Sequence, residues 1–548
     1  MTNITLNRKE VEKHLGKIDE ELQNRIISIG IEIEELNEKE IVLGITPNRP
    51  DLLSLQGFLR NMNFYLGKKK PFTYIAKENK EYEVIIEKSV KEVRPFTACA
   101  VAKNLKFNDE KIKEIINIQE KLHLTLGRNR RKVAIGIYPL EKIKFPIRFL
   151  AKKPKEIVFR PLEFDKEIDG LKILKEHPTG KEYSHLLEGK EVFPIFEDAN
   201  RKILSMPPII NSHEIGKITN ETKDIFIECS GFNPHYLGKV LNIICCALID
   251  MGAEIYKVKI KKGWFSYYTP DFSEERIEFT LEQINNTIGL NLKEKEIEKL
   301  LQKMGIKTEK TKKNFFALIP PYRVDILNWS DVAEEVAIAY GYENIGFEIP
   351  SISNIAEEDK SYVMKRKLGE ILNGLGFLEC SSLHLNTKEE IKKMNYQFKD
   401  FIEIENSKTE YSTLRIDLMT NILKIFSENS DSQYPQKIFE IGPVFSLDNN
   451  EETGIKEKQN LAIAICDNET NFTEIKRVLD YLFKMIDKKY LLKETENSNF
   501  ILGRVGKIIV DEKEIGFIGE IAPRVLKNWK INFPVTALEI CINDFLFN

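Results

Sequence analysis

The chain has 548 residues, of which 42% are hydrophobic and 30% charged, and its 82 lysines and arginines nearly balance 85 aspartates and glutamates, for a net charge of -3. At about 100–200 residues per domain, this length predicts roughly three to five domains. The composition excludes disorder and collagen, and the near-zero net charge means that any contact with nucleic acid comes from a local basic patch.

The seven cysteines are scattered along the chain and include no CxxC pair. An odd number without a pairing pattern predicts reduced thiols. The N-terminal residues do not resemble a signal peptide, and no apolar stretch approaches the roughly 20 residues of a membrane span. The sequence therefore predicts a cytoplasmic protein that does not contact membranes.

Two distant stretches, 14–67 and 287–341, resemble each other. Thr46-Pro-Asn-Arg-Pro-Asp-Leu-Leu in the first copy corresponds to Pro320-Pro-Tyr-Arg-Val-Asp-Ile-Leu in the second. Each copy predicts a helix, a strand, a turn and a second helix in that order. An internal repeat of this kind indicates two domains of related fold.

The second copy has the clearer pattern. Apolar residues at helical spacing from Ile297 to Met304, followed by Gly305, predict a helix that ends in a left-handed residue. A short apolar strand is predicted over 315–319. A second helix is predicted from about Ser330, with one apolar and one acidic face.

The acidic face of this second helix carries Asp331, Glu334 and Glu335, and Asp325 lies just upstream. The three helical acids are neighbours because they stand at positions i, i+3 and i+4. Clustered carboxylate oxygens suit Mg²⁺. The alternative is that these acids complement the helix dipole and are solvated.

The first copy keeps the turn residues but loses the acidic cluster. Arg49 and Asp51 correspond to the arginine and aspartate of the second turn, whereas Gly57, Arg60 and Asn61 replace the three helical acids. The shared arginine and aspartate therefore indicate a role in turn structure. On this comparison, only the second copy can hold a cation.

Together these segments resemble the β subunit of phenylalanyl-tRNA synthetase, in its shorter archaeal and eukaryotic form, over nearly the whole chain. Asn48-Arg-Pro-Asp-Leu-Leu-Ser resembles the signature of the family's N-terminal B1 domain, and the stretch 320–342 resembles that of its B5 domain. The resemblance implies a Mg²⁺ site near the interface with a partner α subunit. Its ligands would be Asp325, Asp331, Glu334 and Glu335.

The resemblance also implies an α+β multidomain fold. It comprises helix-turn-helix-like repeated B1 and B5 domains, a B3/B4 editing domain and a C-terminal class II synthetase-like antiparallel sheet with helices. The expected boundaries are 1–85 for the B1-like domain, 90–265 for the editing domain, 270–346 for the B5 domain and 355–548 for the C-terminal domain.

The middle region contains four motifs that resemble the family's editing domain. They are Arg130-Arg-Lys-Val-Ala-Ile-Gly-Ile-Tyr, His177-Pro-Thr-Gly-Lys-Glu-Tyr-Ser-His, Ser205-Met-Pro-Pro-Ile-Ile-Asn-Ser and Ile225-Phe-Ile-Glu-Cys-Ser-Gly. Alternation along the last motif predicts a strand with Glu228 and Ser230 on one face. The pair Pro207–Pro208 predicts extended chain that presents Ser205 and Asn211 to a groove.

In the family, this domain hydrolyses tyrosine wrongly attached to the phenylalanine tRNA, because an apolar pocket rejects an added hydroxyl poorly. The candidate editing residues are Glu228, Ser230, Ser205, Asn211 and His185. The archaeal-like pattern has Asp and Thr where this chain has Glu228 and Ser230, which leaves the editing geometry open. The alternative for each residue is a structural role on the surface, in a turn or in the core.

From about Ser361 the chain predicts a helix and then a β-rich region, an order that resembles a class II synthetase catalytic module. An active module of that class needs arginines that hold the ATP phosphates. Phe439-Glu-Ile-Gly-Pro-Val-Phe offers none, and Leu502-Gly-Arg-Val-Gly is a weak match. We therefore expect a catalytically silent module, with phenylalanine activated on the α subunit.

These features predict the β subunit of an (αβ)₂ phenylalanyl-tRNA synthetase that uses ATP and Mg²⁺ and binds tRNA(Phe). Two alternatives are a freestanding deacylase that edits in trans and a non-enzymatic tRNA-binding scaffold. Basic clusters at 68–70, 128–132 and 152–153 are candidates for contacts with tRNA phosphates. Such runs of charge are more often solvated faces.

Overall fold

The computed structural model describes residues 2–105, 108–219, 221–311, 314–396 and 401–543. The chain forms two compact units, of which the first ends at Ile349 and the second begins at Pro350. The outer ends of the first and last predicted domains, at residues 1 and 544–548, lie outside the described residues. Within the described ranges, no helix combines the length and the apolar character needed to cross a membrane.

The first unit begins with the first copy of the repeat. Its elements are β1 (Thr2–Asn7), α1 (Arg8–Leu15), α2 (Glu20–Ser28), β2 (Glu32–Leu36), β3 (Glu40–Ile45) and α3 (Leu55–Tyr65). The strands form an antiparallel sheet in the order β1-β3-β2. The side chain of Ser54 caps α3 by accepting the amide of Gly57, so the helix begins immediately after the turn that carries Arg49 and Asp51.

A ten-stranded sheet forms the middle of the first unit. Its region contains β4 (Glu83–Ile86), β5 (Phe96–Lys103), α4 (Asp109–Leu124), β6 (Val133–Pro139), β7 (Ile147–Lys152), β8 (Val158–Phe159), β9 (Ile168–Asp169), α5 (Gly170–Glu176), α6 (Pro178–Tyr183), β10 (Phe193–Glu197), β11 (Ile203–Met206), β12 (Ile210–Asn211), α7 (His213–Gly216), β13 (Ile225–Gly231), α8 (Pro234–Asp250), β14 (Glu254–Lys262) and β15 (Phe265–Thr269). The strand order is β12-β11-β10-β7-β4-β14-β5-β13-β6, and β15 pairs with β14.

Within this sheet, β13 is antiparallel to both of its neighbours, β5 and β6. The alternate residues Ile225, Ile227 and Cys229 lie in the same buried core as the apolar residues of α8. Phe226 belongs to a different core that also contains Tyr138. The predicted period-two alternation of this strand is therefore confirmed.

The second copy of the repeat follows. Its elements are β16 (Glu275–Phe279), α9 (Leu281–Ile288), α10 (Glu294–Lys303), β17 (Lys307–Lys310), β18 (Phe315–Ile319) and α11 (Trp329–Tyr340). The sheet order, β16-β18-β17, repeats that of the first copy. The predicted helix, strand, turn and helix are confirmed, and Gly305 has the expected left-handed φ of 77°. Each copy also contains an opening strand, an additional helix and a second strand before the turn.

The second unit is built on a seven-stranded sheet. Its elements are α12 (Lys360–Gly374), β19 (Leu378–Glu379), β20 (Leu385–Asn386), α13 (Lys388–Lys393), β21 (Thr413–Leu414), α14 (Met419–Glu428), β22 (Gln436–Leu447), β23 (Ile455–Cys466), α15 (Phe472–Met485), β24 (Leu491–Glu494), β25 (Phe500–Val510), β26 (Lys513–Ile521), α16 (Pro523–Trp529) and β27 (Val535–Cys541). The order is β19-β22-β23-β27-β26-β25-β24, antiparallel except between β19 and β22. One face packs against α12 and α15, and the other packs against α14 and α16.

Candidate functional site

A buried polar cluster lies on β13, and Glu228 is at its centre. In register, Glu228 stands opposite Cys99 on β5 and Gly136 on β6. Glu228 is only 2% exposed. Ser230, two positions further along the same face, is fully buried. The structure therefore places these two predicted residues next to each other, inside the sheet.

The carboxyl group of Glu228 interacts with the side chains of Tyr138 and Ser230. The Tyr138 hydroxyl lies 3.2 Å from Glu228 Oε1 and 3.4 Å from Asn211 Oδ1. Glu228 Oε2 is buried and has no hydrogen-bond partner among the described residues. Burial raises the pKa of Glu228 to about 8, although the charge of Arg94 opposes this effect. At neutral pH the carboxyl group is therefore mostly protonated.

Ser205 and Asn211 lie on β11 and β12, at the opposite end of the strand order from β13, and Asn211 meets the cluster at the Tyr138 hydroxyl. They face each other as partners on β11 and β12. Ser205 Oγ is buried and, like Glu228 Oε2, has no hydrogen-bond partner in the part of the chain that the structure describes. The extended conformation predicted for Pro207–Pro208 is wrong, because these prolines form the tight turn between the two strands. The turn itself brings Ser205 and Asn211 together.

Arg94 fixes the other end of the cluster. Its Nε lies 3.1 Å from Ser230 Oγ, and its Nη2 lies 2.6 Å from the Ser230 carbonyl oxygen. Arg94 is only 3% exposed, and this burial lowers the pKa of its guanidinium to about 10. The group still carries its charge at neutral pH, so a fixed cation bound to Ser230 acts on the Glu228 carboxyl group.

His185 does not join this cluster. It lies in an exposed turn, where its Nδ1 is 3.2 Å from the carbonyl oxygen of Glu182. It instead lines an adjoining pocket of about 840 Å³ together with Arg94. The structure thus brings together four of the five predicted editing residues and places the fifth at the rim of the next pocket.

Sequence reasoning missed three residues that shape the cluster: Arg94, Gly136 and Tyr138. A Cβ atom at Gly136 would clash with the Tyr138 hydroxyl and would lie 2.6 Å from Glu228 Oε1, so only glycine leaves room for these two side chains. The Gly-Ile-Tyr sequence at 136–138 was a usable signal, because its period of two places Gly136 and Tyr138 on one face of a strand. Arg94 gave no comparable signal.

A second candidate site lies in the second copy of the repeat, where Arg323 holds two carboxylates. Its Nε and Nη2 each lie 2.8 Å from an oxygen of Asp325. Its Nη1 lies 3.0 Å from Glu335 Oε2, and its Nη2 lies 2.6 Å from Glu335 Oε1. Burial opposes ionisation of Asp325, but the hydrogen bonds and charge of Arg323 outweigh it and lower the pKa of that carboxyl group.

The other two acids are arranged differently. Asp331 Oδ2 accepts the backbone amides of Leu327 and Asn328 at 2.6 and 2.9 Å, which caps the start of α11. Glu334 is exposed on the same helix. All four acids line one pocket of about 560 Å³, which we call the acidic pocket. Its lining includes five carboxylates but only two side chains with a full positive charge, Lys239 and Arg323.

The acidic pocket suits a hard cation in its donor chemistry, since carboxylate oxygens are the ligands that Mg²⁺ prefers. Among the described residues, however, no three side chains of the His, Cys, Asp or Glu type converge as a ready-made metal site. The alternative interpretation of the acidic face requires these acids to be solvated. Glu335 is not solvated, because it is 5% exposed and bound to Arg323. Mg²⁺ coordination would therefore use oxygen lone pairs that remain after these contacts.

We call the arrangement of Arg323 bound to two acidic side chains the Arg323 fork. The first copy contains a similar fork at Arg49, with one carboxylate fewer. Arg49 Nε and Nη2 each lie 2.9 Å from an oxygen of Asp51, and Arg49 Nη2 lies 3.2 Å from Asn61 Oδ1. The prediction that the shared arginine and aspartate serve turn structure is confirmed in both copies. The amide of Asn61 takes the place that the carboxylate of Glu335 has in the second copy.

Three family models match consecutive parts of the chain. The model of the B3/4 domain matches residues 80–242, the model of the tRNA synthetase B5 domain matches 277–342, and the model of the phenylalanyl tRNA synthetase beta chain CLM domain matches 346–542. The first of these ranges contains the cluster around Glu228, and the second contains the four acids of the acidic pocket.

Relatives match over much greater lengths. Proteins named phenylalanine–tRNA ligase beta subunit are 36% identical in Thermococcus sibiricus, over 91% of this chain and 89% of the relative, and 34% identical in Archaeoglobus fulgidus, over 100% and 99%. The chain belongs to the phenylalanyl-tRNA synthetase β-subunit family. A solved N-terminal fragment of the phenylalanyl-tRNA synthetase β subunit from Pyrococcus horikoshii is 33% identical, with a TM-score of 0.59, and covers 62% of this chain and 99% of the fragment. The family has the multidomain α+β fold with B3/4, B5 and CLM domains seen here.

Proposed function

We propose that this chain acts as the β subunit of phenylalanyl-tRNA synthetase. It supports the ATP-dependent attachment of phenylalanine to tRNA(Phe) by a partner α subunit, and it hydrolyses mischarged Tyr-tRNA(Phe). The observation that carries this proposal is similarity to ligase β subunits along 90% or more of the chain. A freestanding deacylase or a passive scaffold is less favoured, because the similarity includes the CLM domain as well as the B3/4 domain.

We extend the proposal to an (αβ)₂ heterotetramer in the cytoplasm, in which the second unit is a class II synthetase-like but catalytically silent module. Two arginines of that unit support the proposal that it is not catalytic, because each of them is bound to a glutamate. Arg415 is buried with its Nη1 2.6 Å from Glu440 Oε1, and Arg504 Nη1 lies 2.6 Å from Glu520 Oε2. The buried Arg415 guanidinium is therefore not free to hold a phosphate, and one donor of the exposed Arg504 guanidinium is already taken by Glu520.

For editing, we propose that the cluster around Glu228 positions the aminoacyl ester and the attacking water. Ser205 Oγ and Glu228 Oε2 are buried polar atoms without partners, so they are available to bind the hydroxyl group that distinguishes tyrosine from phenylalanine. Tyr138 and Arg94 hold the cluster in place through Glu228 and Ser230. Hydrolysis of an ester needs an aligned water and no acyl-enzyme nucleophile.

For the metal, we propose that Asp325, Asp331, Glu334 and Glu335 hold Mg²⁺ together with oxygens of the partner subunit or water. Five carboxylates against two cations in the acidic pocket support this assignment. Bound Mg²⁺ would supply positive charge that neutralises the pocket. The chain's own contribution is the Arg323 fork, which fixes the orientation of two of the four carboxylates.

The decisive test of the subunit assignment is phenylalanine-dependent charging of tRNA(Phe) by this chain, by the α subunit of the same organism, and by the two co-expressed. We expect activity only from the co-expressed pair, which also purifies as one complex. Charging by either chain alone, or failure to co-purify, would contradict the assignment. Tyr-tRNA hydrolysis by this chain alone would favour the deacylase instead.

The editing assignment is tested with Glu228→Gln in the co-expressed complex. We expect Tyr-tRNA(Phe) hydrolysis to fall at least tenfold while phenylalanine charging is unchanged. Glu254→Gln, which alters an acid on the accessible surface of the same sheet, is the matched control and should leave both rates intact. Equal hydrolysis by the two variants would exclude Glu228 from editing.

The metal assignment is tested with Glu334→Gln, because Glu334 is exposed and its replacement leaves the Arg323 fork intact. We expect weaker Mn²⁺ binding to the complex by electron paramagnetic resonance, and a higher Mg²⁺ concentration for half-maximal assembly. Glu343→Gln, an exposed acid just beyond α11, is the control. Identical metal binding by both variants would show that the metal is not bound in this pocket.

A further inference from the structure

The last strand of the middle sheet, β6, is covered by a helix instead of a strand. Among the described strands, β6 pairs only with β13, so its outer edge carries backbone groups that no strand satisfies. Helix α4 contacts this edge and supplies partners for it from its own side chains. Covering an edge protects it from pairing with another chain. It also makes the position of the strand depend on the helix.

Two side chains of α4 bind a single residue of β6, Ile135. The Gln119 Nε2 group donates to the Ile135 carbonyl oxygen at 3.0 Å, and His123 Nε2 accepts the Ile135 amide at 2.8 Å. Gln119 and His123 are four positions apart, so they project from the same face of the helix. Together they reproduce the donor and the acceptor that a neighbouring strand would offer at this point.

The Ile135 amide determines the protonation state of His123. A backbone amide only donates hydrogen bonds, so His123 Nε2 is the unprotonated nitrogen and Nδ1 carries the proton. Nδ1 lies 3.3 Å from Glu120 Oε1, which is a suitable acceptor. Protonation of His123 would place a second N–H group against the Ile135 amide and remove this hydrogen bond. The contact therefore exists only while His123 is neutral.

The surroundings of His123 favour its neutral form. His123 is 3% exposed, and burial lowers its pKa, although the hydrogen bond and charge of Glu120 oppose this effect. The charges of two arginines from other segments add to the lowering of the pKa. They are Arg130, in the loop before β6, and Arg94, just before β5. His123 is therefore neutral at neutral pH and gains a proton only in acid.

Ile135 is followed directly by residues that shape the cluster around Glu228. Gly136 leaves the space that Glu228 and Tyr138 occupy, and the Tyr138 hydroxyl lies 3.2 Å from Glu228 Oε1. A shift of the strand at Ile135 is carried to Gly136 and Tyr138, because the backbone is continuous and the interior is closely packed. A misplacement of about 1 Å can slow a reaction about 100-fold. The contact with α4 therefore bears on the geometry at Glu228.

We propose that His123 is a positioning residue for editing, and that it makes editing sensitive to acid. In its neutral form His123 holds Ile135, and with it the strand that carries Gly136 and Tyr138. When His123 is protonated, the edge of the strand is released and hydrolysis of Tyr-tRNA slows, while phenylalanine charging by the partner subunit continues. This inference rests on the proposed editing function and adds a control of that function by pH.

The test compares three variants of the co-expressed complex with the unmodified complex between about pH 5 and pH 8. His123→Gln keeps an oxygen that can accept the Ile135 amide but does not titrate, whereas His123→Leu removes the acceptor. His177→Gln is the matched control. His177 is also buried in this domain, but its Nε2 lies 3.0 Å from an acceptor, the Leu162 carbonyl oxygen, so that contact survives protonation.

The measured quantity is the rate of Tyr-tRNA(Phe) hydrolysis, after subtraction of the uncatalysed rate at each pH. We expect the rate of the unmodified complex and of His177→Gln to fall in acid, by up to about tenfold per pH unit, as for one proton. His123→Gln should keep about its neutral-pH rate throughout, and His123→Leu should be at least tenfold slower at every pH. An acid fall in His123→Gln equal to that of the unmodified complex would overturn the proposal.

Phenylalanine charging at neutral pH should be retained in all three variants, which shows that each complex is assembled. If His123→Leu loses charging together with hydrolysis, it is misfolded, and the pH profile of His123→Gln alone decides. Absence of hydrolysis by the unmodified complex at every pH would refute the editing function itself. Hydrolysis with identical acid profiles in the unmodified and His123→Gln complexes would refute only the role of His123.

Thermal unfolding tests the contact without any substrate. Because the pKa of His123 is lower in the folded chain than in unfolded peptides, its contribution to stability is complete above the unfolded pKa of about 6.5 and is lost as the pH falls. The fall of Tm in acid should therefore be less steep in His123→Gln than in the unmodified complex and in His177→Gln. Parallel curves for all three would contradict the proposal.

Discussion

Asn61 occupies in the first copy of the repeat the place that Glu335 occupies in the second. Asn61 offers one amide oxygen to Arg49 at 3.2 Å, whereas Glu335 offers two carboxylate oxygens to Arg323 at 3.0 and 2.6 Å. The first fork is therefore neutral, and the second has a surplus negative charge. This one difference separates a structural turn from a turn that is suited to a cation.

The Arg323 fork should contribute strongly to stability. Arg323→Met leaves two largely buried carboxylates without their partner, and we expect the first unit to lose about 3–5 kcal/mol. Arg276→Met breaks the exposed ion pair with Glu309 in the same domain and should cost less than about 1 kcal/mol. Urea unfolding of both variants measures the difference. Similar midpoints for the two would show that the fork is not a stabilising element.

Glu228 should make stability depend on pH. Its pKa is about 8 in the folded chain, against about 4.3 in unfolded peptides, so between these values only the folded state holds the proton. The stabilisation is complete below the unfolded pKa and is lost, at about 1.4 kcal/mol per pH unit, as the pH rises through the folded pKa. Glu228→Gln should therefore flatten the fall of Tm between pH 5.5 and 8.5.

Glu254→Gln provides the comparison for this pH experiment, because the hydrogen bond from Lys77 outweighs the effect of burial and lowers the pKa of that carboxyl group. We expect its Tm to fall with pH as in the unmodified chain. Parallel curves for Glu228→Gln and the unmodified chain would mean that Glu228 is already ionised in the folded state.

Gly136→Ala should impair editing through a single methyl group. The added Cβ would clash with the Tyr138 hydroxyl and would lie 2.6 Å from Glu228 Oε1, so it would push both groups out of place. We expect Tyr-tRNA hydrolysis to fall at least tenfold while phenylalanine charging is retained. Gly238→Ala on α8 is the control, since nothing lies within 4 Å of its Cβ position, and it should leave both activities unchanged. Full hydrolysis by Gly136→Ala would show that editing tolerates displacement of Tyr138 and Glu228.

Tyr138→Phe tests the hydroxyl that lies between Glu228 and Asn211. We expect about 1–2 kcal/mol of lost stability, because buried acceptors lose their donor, and about tenfold slower hydrolysis of Tyr-tRNA. Tyr267→Phe removes another hydroxyl in the same domain, one that donates to the Thr97 carbonyl oxygen at 3.1 Å. A comparable loss of hydrolysis in both variants would indicate a general effect of destabilisation.

Local patterns predicted much of this structure. The apolar spacing around Ile297 and the position of Gly305 were sufficient to predict α10 and its C-terminal end. The alternation along β13 was sufficient to place Glu228 beside Ser230 on one face. These predictions succeeded because they depend on residues a few positions apart. The repeat also allowed the role of Arg323 to be inferred from Arg49.

Contacts between distant segments were not predictable in this way. Glu335 turns inward because Arg323, in the preceding turn, is buried and needs a second carboxylate, and helical spacing does not report that burial. Tyr138 reaches Glu228 across 90 positions of sequence, and Arg94 reaches Ser230 across 136. His185 looked equivalent to the other editing candidates until strand pairing separated them.

The pairing of β13 on both edges has a consequence for amide hydrogen exchange. The backbone around Glu228 is bonded to β5 and to β6, so its amides exchange with solvent only when the sheet itself opens. The loop between α4 and β6, where Arg128, Asn129 and Arg130 have φ values of 46°, 53° and 63°, has no strand neighbour and exchanges through local opening. On warming, deuterium should therefore enter the loop well before it enters the strand, while the geometry around Glu228 is still intact.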